Sequence, residues 1–376
     1  LLTKKLLEEA GHTGEIFGMN HPANLFSNKY FTDFVDYSQL NFWQKIKFGL
    51  RAIYNTQAKE NLAALLDDFR PDVVHFHNIY HQLSCSVIDV AKEYGFKTVM
   101  TLHDYKFISP NYNLFHHGRI DESCVGGKYY RCLWNNCMEN LMESLLSVVE
   151  AYFVDAKDYK AMINKYISPS EFLKNKFVKA GFQTNKIIKL SNPILDTEFI
   201  DNNLDQDFVL YVGRLSAEKG VKYLVQAAAI LSDIKFKIIG EGNERVELEQ
   251  IVETQKLTNI DFLGVKDHGE VDDMMNKARL VVVPSVWYEN SPMTVLEAKA
   301  RAKVVVASDI GGLSEILSAE LLVGPADAKA LADKIKEWFD ADNKKLQATG
   351  RQLQVQARAE NSSGVYLKKL LEIYHS

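Results

Sequence analysis

The sequence has little of what marks several specialised classes of protein. It has four cysteines in 376 residues, too few for the disulfide framework of a small secreted protein, so we expect a reducing, cytoplasmic compartment. Its formal net charge is −5 at pH 7, whereas a nucleic-acid-binding protein is usually basic. No apolar run approaches the length of a membrane span. These absences leave a globular protein with 47% hydrophobic and 25% charged residues, long enough for two domains.

The amino-terminal residues predict a helix and not a secretion signal. Residues 1–10 interleave leucines with lysines and glutamates, so the helix would be amphipathic, and Gly11 is expected to end it. Because the chain does not begin with methionine, we expect its amino terminus to be trimmed or incomplete.

The stretch from residue 280 to residue 297 predicts a buried strand, a turn and a helix. A short aliphatic run at 280–283 stops at Pro284, and a polar loop precedes the helix. Pro292 suits the first turn of a helix, where its missing N–H has no partner to lose. The N–H groups of Met293, Thr294 and Val295 would then point out of the helix start, which is a site for an anion such as phosphate.

Two glutamates, Glu289 and Glu297, lie on either side of this predicted helix start. A carboxylate repels phosphate, so we expect these two side chains to accept hydrogen bonds from hydroxyl groups instead. A ligand that carries both phosphate and hydroxyl groups suggests a sugar nucleotide.

Two further loops follow predicted strands in the same half of the chain. The strand at 208–212 is followed by Gly213, Arg214 and Lys219, and the two bases can wrap a diphosphate, with a solvated charged loop as the alternative. The strand at 236–239 is followed by Gly240-Glu241-Gly242, which permits close approach of the backbone to a ligand but is a weak signal alone.

In the first half, polar residues follow two strands of a predicted βαβ unit. His77 and Asn78 come after the strand at 73–76, and His103 and Asp104 come after the strand at 97–102. The carboxyl ends of parallel strands meet at one edge of a sheet, where ligands bind. These four residues are therefore candidate ligand contacts, although a histidine after a strand is often only a capped loop residue.

Residues 42–51 interleave aromatic residues with bases. This pattern indicates either a helix that lies on a membrane surface or a helix packed on the domain core with its lysines extended into water.

Three cysteines, Cys124, Cys132 and Cys137, lie close together in a loop rich in glycine and tyrosine. Their spacing matches no compact zinc motif, and buried thiols usually behave as small apolar groups. A metal with a distant fourth ligand, such as Cys85 or a histidine, stays an open alternative.

The alternation of strands and helices predicts an α/β protein with two doubly wound parallel-sheet domains. We expect domain boundaries at 1–195 and 196–354, with a final helix, 355–376, completing the first domain.

The pattern as a whole resembles family 4 retaining glycosyltransferases with the GT-B fold, in which two Rossmann-like domains face each other across a cleft. The matching segments of the second half are 211–215 with 219–220, 239–242, 262–264, 284–285, 289–298, and 311–312 with Glu315. The first half matches more loosely, through 71–75, 103–104 and 168–170. The family usually begins with a strand and a Gly-Gly loop, whereas this chain begins at the helix that follows them.

The resemblance implies roles for particular residues. Arg214 and Lys219 would hold the donor diphosphate, Glu297 the ribose hydroxyls and Glu289 the donor sugar, while His103 would reach that sugar from the other domain. The remaining donor contacts would be Gly213, Gly240, Glu241, Gly242, Asn290, Ser291, Pro292, Met293 and Thr294, and the acceptor-side contacts His77, Asn78 and Asp104.

The expected function is retaining transfer of a hexose-type sugar from a nucleotide-diphosphate sugar to a hydroxyl of a sugar, lipid-linked or polysaccharide acceptor in cell-surface polysaccharide or glycolipid assembly. The resemblance implies no cofactor and no divalent metal, and no Asp-x-Asp motif follows a predicted strand. A non-catalytic sugar-nucleotide binder and a sugar-nucleotide epimerase are the alternatives.

Overall fold

Two parallel β-sheets, one in each half of the chain, form the framework of the fold. The computed structural model describes residues 1–36, 42–200 and 207–376, and the side chains of residues 42–47 are outside that description. The strands of the amino-terminal half are β1 (Met19–Asn20), β2 (Thr32–Asp33), β3 (Val73–His77), β4 (Lys97–Thr101), β5 (Phe115–His116), β6 (Arg119–Ile120), β7 (Lys165–Ser168) and β8 (Ile187–Lys189). Its helices are α1 (Leu2–Glu9), α2 (Phe42–Ile53), α3 (Thr56–Phe69), α4 (Ser86–Glu93), α5 (Tyr130–Trp134), α6 (Leu141–Ala156), α7 (Tyr159–Met162) and α8 (Glu171–Lys179).

The main sheet of this half has the strand order β3–β4–β7–β8, and every pairing in it is parallel. Strand β4 is buried along four of its five residues, as expected for a central strand covered by helices on both faces. The carboxyl ends of β3 and β4 lie side by side, with His77 opposite Thr101.

The carboxy-terminal half has a larger sheet. Its strands are β9 (Phe208–Val212), β10 (Lys235–Ile239), β11 (Ile260–Gly264), β12 (Leu280–Val283), β13 (Val304–Ser308) and β14 (Leu322–Val323). Its helices are α9 (Val221–Ile230), α10 (Arg245–Thr254), α11 (His268–Lys277), α12 (Met293–Ala300), α13 (Leu313–Ile316), α14 (Ala328–Phe339), α15 (Asn343–Asn361) and α16 (Ser363–His375).

This second sheet is parallel throughout, in the order β11–β10–β9–β12–β13–β14. The β-branched runs of β12 and β13 are buried at every position, so helices must cover both faces of the sheet. From β9 the chain adds β10 and then β11 on one side of the sheet, and from β12 it adds β13 and then β14 on the other side. A crevice therefore opens between the carboxyl ends of β9 and β12, at the switch point where parallel sheets bind ligands.

The last two helices belong to different halves. Helix α15 packs against α12, and Gln354 Nε2 donates hydrogen bonds to the carbonyl oxygens of Ile200 and Ala300. The helix breaks at Ser362, and α16 returns to the amino-terminal sheet, where Leu370 packs in one cluster with Val99. The chain thus passes from the carboxy-terminal half to the amino-terminal half at Ser362, a position inside the single helix that was predicted over 355–376.

Helix α2 contains the aromatic and basic stretch at 42–51. Its side chains from 42 to 47 fall outside the description, but at Gly49 the helix lies directly on α6, because a Cβ there would be 2.8 Å from Leu146 Cδ1. Among the described residues, no helix combines the length and apolar character needed to cross a bilayer.

Candidate functional site

The loops that leave β9 and β10 are joined by backbone hydrogen bonds. Gly213 N donates to Ile239 O at 3.0 Å, and Leu215 N donates to Glu241 O at 2.9 Å. A Cβ at Gly240 would lie 1.9 Å from Gly213 O, and one at Gly242 would lie 2.1 Å from Leu215 O. In this structure, these two glycines allow the loop after β9 to approach closely. Their contact with a ligand stays a prediction. The Glu241 carboxylate pairs with Arg245, the first residue of α10.

The two predicted bases lie together at the switch point but in different environments. The Arg214 side chain is exposed, and no carboxylate within the described part of the chain pairs with it. Lys219 ends a short 3₁₀ turn, and its Nζ lies 2.7 Å from Glu289 Oε1 and 5.1 Å from the centre of the Trp287 ring. Arg214 can thus bind an anion without first breaking an ion pair, whereas Lys219 is held in place by its pair with Glu289.

Glu289 is the buried centre of the site, with 4% of the residue exposed. Besides Lys219, its Oε1 accepts a hydrogen bond of 2.6 Å from Ser285 Oγ. Its carbonyl oxygen accepts one of 2.6 Å from Gly312 N, and a Cβ at Gly312 would lie 2.0 Å from the Asn290 carbonyl oxygen. The Gly-Gly loop after β13 therefore supports the loop that carries Glu289.

Helix α12 begins at Met293, and Thr294 Oγ1 donates to Val212 O at 3.2 Å, which places the helix start beside the end of β9. The N–H groups of Met293 and Thr294 have no acceptor among the described residues. The expectation that Val295 N–H would also be unpaired was wrong, because it donates to Pro292 O at 3.1 Å. Two backbone donors therefore remain for an anion at this helix start.

Glu297 lies one turn into α12 and is half-buried. Its pKa is raised, first by burial and then by the nearby Glu198 carboxylate, while the positive charge of Arg301 acts in the opposite direction. A carboxyl group held in this way is suited to hydrogen bonding with ligand hydroxyls.

Asn290 connects the two halves of the protein. Its Nδ2 donates to His103 O at 2.8 Å, and its Oδ1 accepts from Tyr105 Oη at 2.6 Å. Tyr105 Oη is also 3.1 Å from Tyr288 O. These bonds place His103 beside the Glu289 loop, and they engage the Asn290 amide that was expected to contact a donor. Its neighbour Ser291 is buried, and Ser291 Oγ has no partner among the described residues.

His103 belongs to a line of three histidines along the ends of β3 and β4. His103 Nε2 lies 2.9 Å from His77 Nδ1, and the His77 ring lies 4.2 Å from the ring of His75. His75 in turn is 2.7 Å from the Tyr374 hydroxyl, on α16, and 2.8 Å from Thr101 Oγ1. Helix α16 thus supports a line of rings that ends at the cleft.

The pKa of each of these histidines is lowered, first because the surrounding protein desolvates the charged form. For His75 and His77 the neighbouring histidines add to the effect. Solvent reaches the His77 and His103 rings, so burial acts most strongly on His75. The cluster is therefore neutral near pH 7, and His103 would meet a ligand as an uncharged imidazole.

The other two predicted acceptor-side residues flank this line. Asn78 follows β3 in a left-handed conformation, with φ 44°. Burial raises the pKa of Asp104 to about 6, and the Lys106 N–H bonded to its Oδ1 at 2.9 Å opposes that rise.

Other contacts across the cleft were not predicted. Tyr288 Oη donates to Glu122 Oε1 at 2.7 Å, and Lys176 Nζ lies 4.2 Å from the centre of the Tyr288 ring. The Glu315 carboxylate accepts from the N–H groups that begin α8, and Lys189 Nζ pairs with it at 3.2 Å. In the sequence, only the Gly-Gly spacing before Glu315 and the match at 168–170 marked this region.

The site therefore has one wall of positive groups, Arg214, Lys219 and the start of α12, and an opposite wall that carries His103. Within the described residues, the only group of histidine, cysteine or carboxylate side chains with metal-binding proximity is Cys124, Cys132 and Cys137.

Residues 196–353 match the family model described as glycosyl transferases group 1. Among curated proteins, an uncharacterized 42.6 kDa protein in the cps region of Klebsiella pneumoniae is 27% identical over 275 residues, which covers 72% of this chain and 66% of that protein. The chain thus spans just under two thirds of that relative's length.

Solved structures share the architecture over almost the whole chain. Sucrose-phosphate synthase from Thermosynechococcus elongatus superposes with a TM-score of 0.73 at 19% identity, over 99% of this chain and 91% of that protein. HepE from Anabaena, in complex with UDP and glucose, superposes with a TM-score of 0.66 at 17% identity, over 99% of this chain and 89% of that protein. The chain therefore has the predicted GT-B fold, and its residues 196–353 are a glycosyl transferases group 1 domain.

Proposed function

We propose that the protein is a family 4 retaining glycosyltransferase that moves a hexose-type sugar from a nucleotide-diphosphate sugar to an acceptor hydroxyl. The observation that carries the proposal is the meeting of Arg214, Lys219 and the free N–H groups of α12 at the switch point of the second sheet. A guanidinium, an ammonium and unpaired N–H groups at a helix start all donate hydrogen bonds to phosphate oxygens, so together they suit a diphosphate.

In the proposed reaction, the bond between the anomeric carbon and the phosphate oxygen breaks, and the nucleoside diphosphate leaves with the electron pair. The acceptor oxygen bonds to the anomeric carbon on the same face and releases its proton to the leaving phosphate oxygen. Negative charge therefore grows on the diphosphate, where preorganised donors stabilise it most. We propose that Arg214 and Lys219 supply this stabilisation without a divalent metal.

The ion pair between Lys219 and Glu289 has a part in this scheme. A lysine ammonium has three donors, so Lys219 can keep its bond to Glu289 while it contacts a phosphate oxygen. Glu289 would accept hydrogen bonds from the donor sugar with its second carboxylate oxygen, and Glu297 would accept them from the ribose. His103 would contact the same sugar from the opposite wall.

UDP-hexoses are the donors to test first, because HepE, which shares the fold, was solved with UDP and glucose. The likeness to a protein encoded in a cps region supports a place in polysaccharide assembly.

Contact with a membrane surface, one of the two alternatives for residues 42–51, is also proposed. Support comes from α6, which packs against α2 and leaves Leu141, Leu145, Val149 and Tyr152 exposed along one face. Trp134, on the adjoining helix α5, is 82% exposed. Apolar residues flanked by exposed aromatic rings, next to a helix whose sequence carries lysines, suit the interface of an anionic lipid bilayer.

The test is the double variant Arg214→Ala/Lys219→Ala, assayed by release of nucleoside diphosphate in the presence of saccharide acceptors. We expect transfer to be abolished and donor binding to be weakened, with an unchanged circular dichroism spectrum. The matched control is Lys222→Ala, since Lys222 lies on α9 in an exposed pair with Glu247. Unchanged turnover in the double variant would refute the assignment.

The same assay distinguishes the alternatives. A binding protein would hold the donor without release of nucleotide under any acceptor. An epimerase would convert the donor when no acceptor is present.

A further inference from the structure

The segment between β4 and α6 is a loop-rich module with very little apolar core of its own. Within residues 105–140, its regular elements are the two-residue strands β5 and β6 and the five-residue helix α5. Six buried residues form the cluster between this segment and α6, and three of them are cysteines, Cys124, Cys132 and Cys137. Tyr105, Phe107, Ile108 and Leu114 anchor the first part of this segment in the core of the amino-terminal half. A covalent or metal cross-link would therefore act on the part that follows, where few apolar side chains are buried.

The three sulfur atoms lie within 4.8 Å of one another, and each cysteine is at most 2% exposed. They come from two places, the loop that holds Cys124 and the turn around α5 that holds the other two. In the structure Cys132 and Cys137 are joined by a disulfide, whereas free buried thiols were expected. That bond spans five residues and leaves the Cys124 thiol unlinked beside it.

His116, in the same module, is the candidate for a fourth ligand, and it lies outside the group of three sulfur atoms that are already close to one another. His116 is 3% exposed, its Nε2 is 2.7 Å from Asp121 Oδ2, and among the described residues its Nδ1 has no hydrogen-bond partner. A histidine that donates one ring N–H to a carboxylate and leaves the other nitrogen with a free lone pair is arranged as metal-binding histidines are. Asn111 Nδ2 donates to both Phe115 O and Cys137 O, which ties the backbone next to His116 to the cysteine cluster.

We propose that the reduced module binds one Zn²⁺ ion through Cys124, Cys132 and Cys137, with His116 joining them as the fourth ligand when the ion binds. Three thiolates and one imidazole are a common tetrahedral donor set for structural zinc, and soft sulfur ligands favour this ion over magnesium or calcium. A phosphine reductant supplies the two electrons that convert the disulfide to two thiols, with two protons taken from water. Zinc binding then displaces the three thiol protons and leaves the imidazole neutral.

The site would affect the cleft through Glu122, two residues before Cys124. Glu122 accepts the hydrogen bond from Tyr288 Oη and pairs with Lys176 at 2.6 Å. Zinc would therefore fix the loop that carries Glu122, and with it the hydrogen bond to Tyr288, the neighbour of Glu289.

The experiment measures zinc in the full chain, purified with a phosphine reductant, by mass spectrometry of the metal. Each of Cys124→Ser, Cys137→Ser and His116→Asn is compared with the wild type, and Cys85→Ser is the matched control, because Cys85 is buried in a different core. We expect one zinc per chain in the wild type and the control, and at least tenfold weaker zinc binding in the three other variants. Replacement of zinc by Co²⁺ in the wild type should give the absorption of a tetrahedral thiolate complex, a readout that needs no variant to fold.

Three outcomes would overturn the proposal. The reduced wild type could bind less than a tenth of an equivalent of added zinc. Zinc affinity could be unchanged in Cys124→Ser or in His116→Asn. The cobalt form could show no thiolate-to-metal absorption.

Discussion

The ion pair at the centre of the site supports a quantitative prediction. Lys219 Nζ and Glu289 Oε1 are 2.7 Å apart, with 20% of the lysine side chain and 6% of the glutamate side chain exposed. Replacing Lys219 by methionine removes the cation but keeps most of the volume. The Glu289 carboxylate then stays buried with Ser285 as its hydrogen-bond donor.

Removing one partner of a buried pair costs about 3–5 kcal/mol, because the other charge is left uncompensated. Water can reach the space left by a lysine that is one-fifth exposed, so we expect about 3 kcal/mol for Lys219→Met, the lower end of that range. Glu289→Gln leaves a cation that can extend into solvent, and should cost about 1 kcal/mol. The double variant has no unpaired charge and should cost about 2 kcal/mol, which gives a coupling of about 2 kcal/mol between the two sites.

The measurement is equilibrium unfolding in urea, followed by circular dichroism and tryptophan fluorescence. The two halves of the chain require a fit that separates their transitions, and the effect belongs to the carboxy-terminal one. Lys222→Met, which breaks an exposed pair with Glu247, should change the unfolding free energy by less than about 0.5 kcal/mol. If the two site substitutions add to within about 0.5 kcal/mol, the pair is not the buried unit described here.

Three further predictions concern other parts of the molecule. Gly312→Ala places a Cβ 2.0 Å from a backbone carbonyl oxygen and should destabilise the protein by at least about 2 kcal/mol in thermal or urea unfolding, whereas Gly364→Ala, with open space in α16, should be neutral or stabilising. The lowered pKa of His75 means that below pH 6.5 the unfolded chain takes up a proton that the folded chain does not. Between pH 7.5 and 5.5 the wild type should therefore lose about 1.4 kcal/mol more stability than His75→Gln, and equal pH slopes would contradict the shift. Trp134→Ser should at least halve co-sedimentation with anionic lipid vesicles, while Val355→Ser, at another largely exposed apolar position on α15, should have no effect.

Much of the fold was predictable because buried parallel strands leave a local signature. The apolar runs predicted at 208–212 and 280–283 are strands β9 and β12, with the same limits. A strand that is buried on both faces has a short continuous apolar run, which can be recognised in the sequence. The alternation of such runs with helices predicted two parallel sheets, and the structure confirms them.

The partners of individual site residues were not predictable in the same way. Lys219 was assigned to phosphate and Glu289 to sugar, yet in the structure they bind each other across 70 residues of sequence. Gly240 and Gly242 were assigned to a ligand, and the structure shows a neighbouring loop against them. Nothing local in the sequence states which loop will lie beside which.

The sequence by itself determined the positions of the strands, the glycines and prolines that end them, and the charged residues at their carboxyl ends. These are consequences of local burial and backbone conformation, which neighbouring residues specify. The tertiary structure decided that β9 and β12 are adjacent, that α16 supports His75, and that the loop with Cys124 meets the turn with Cys132 and Cys137. Such contacts depend on the order of strands in the sheet and on chain closure over tens of residues, and no pattern of neighbouring residues encodes them.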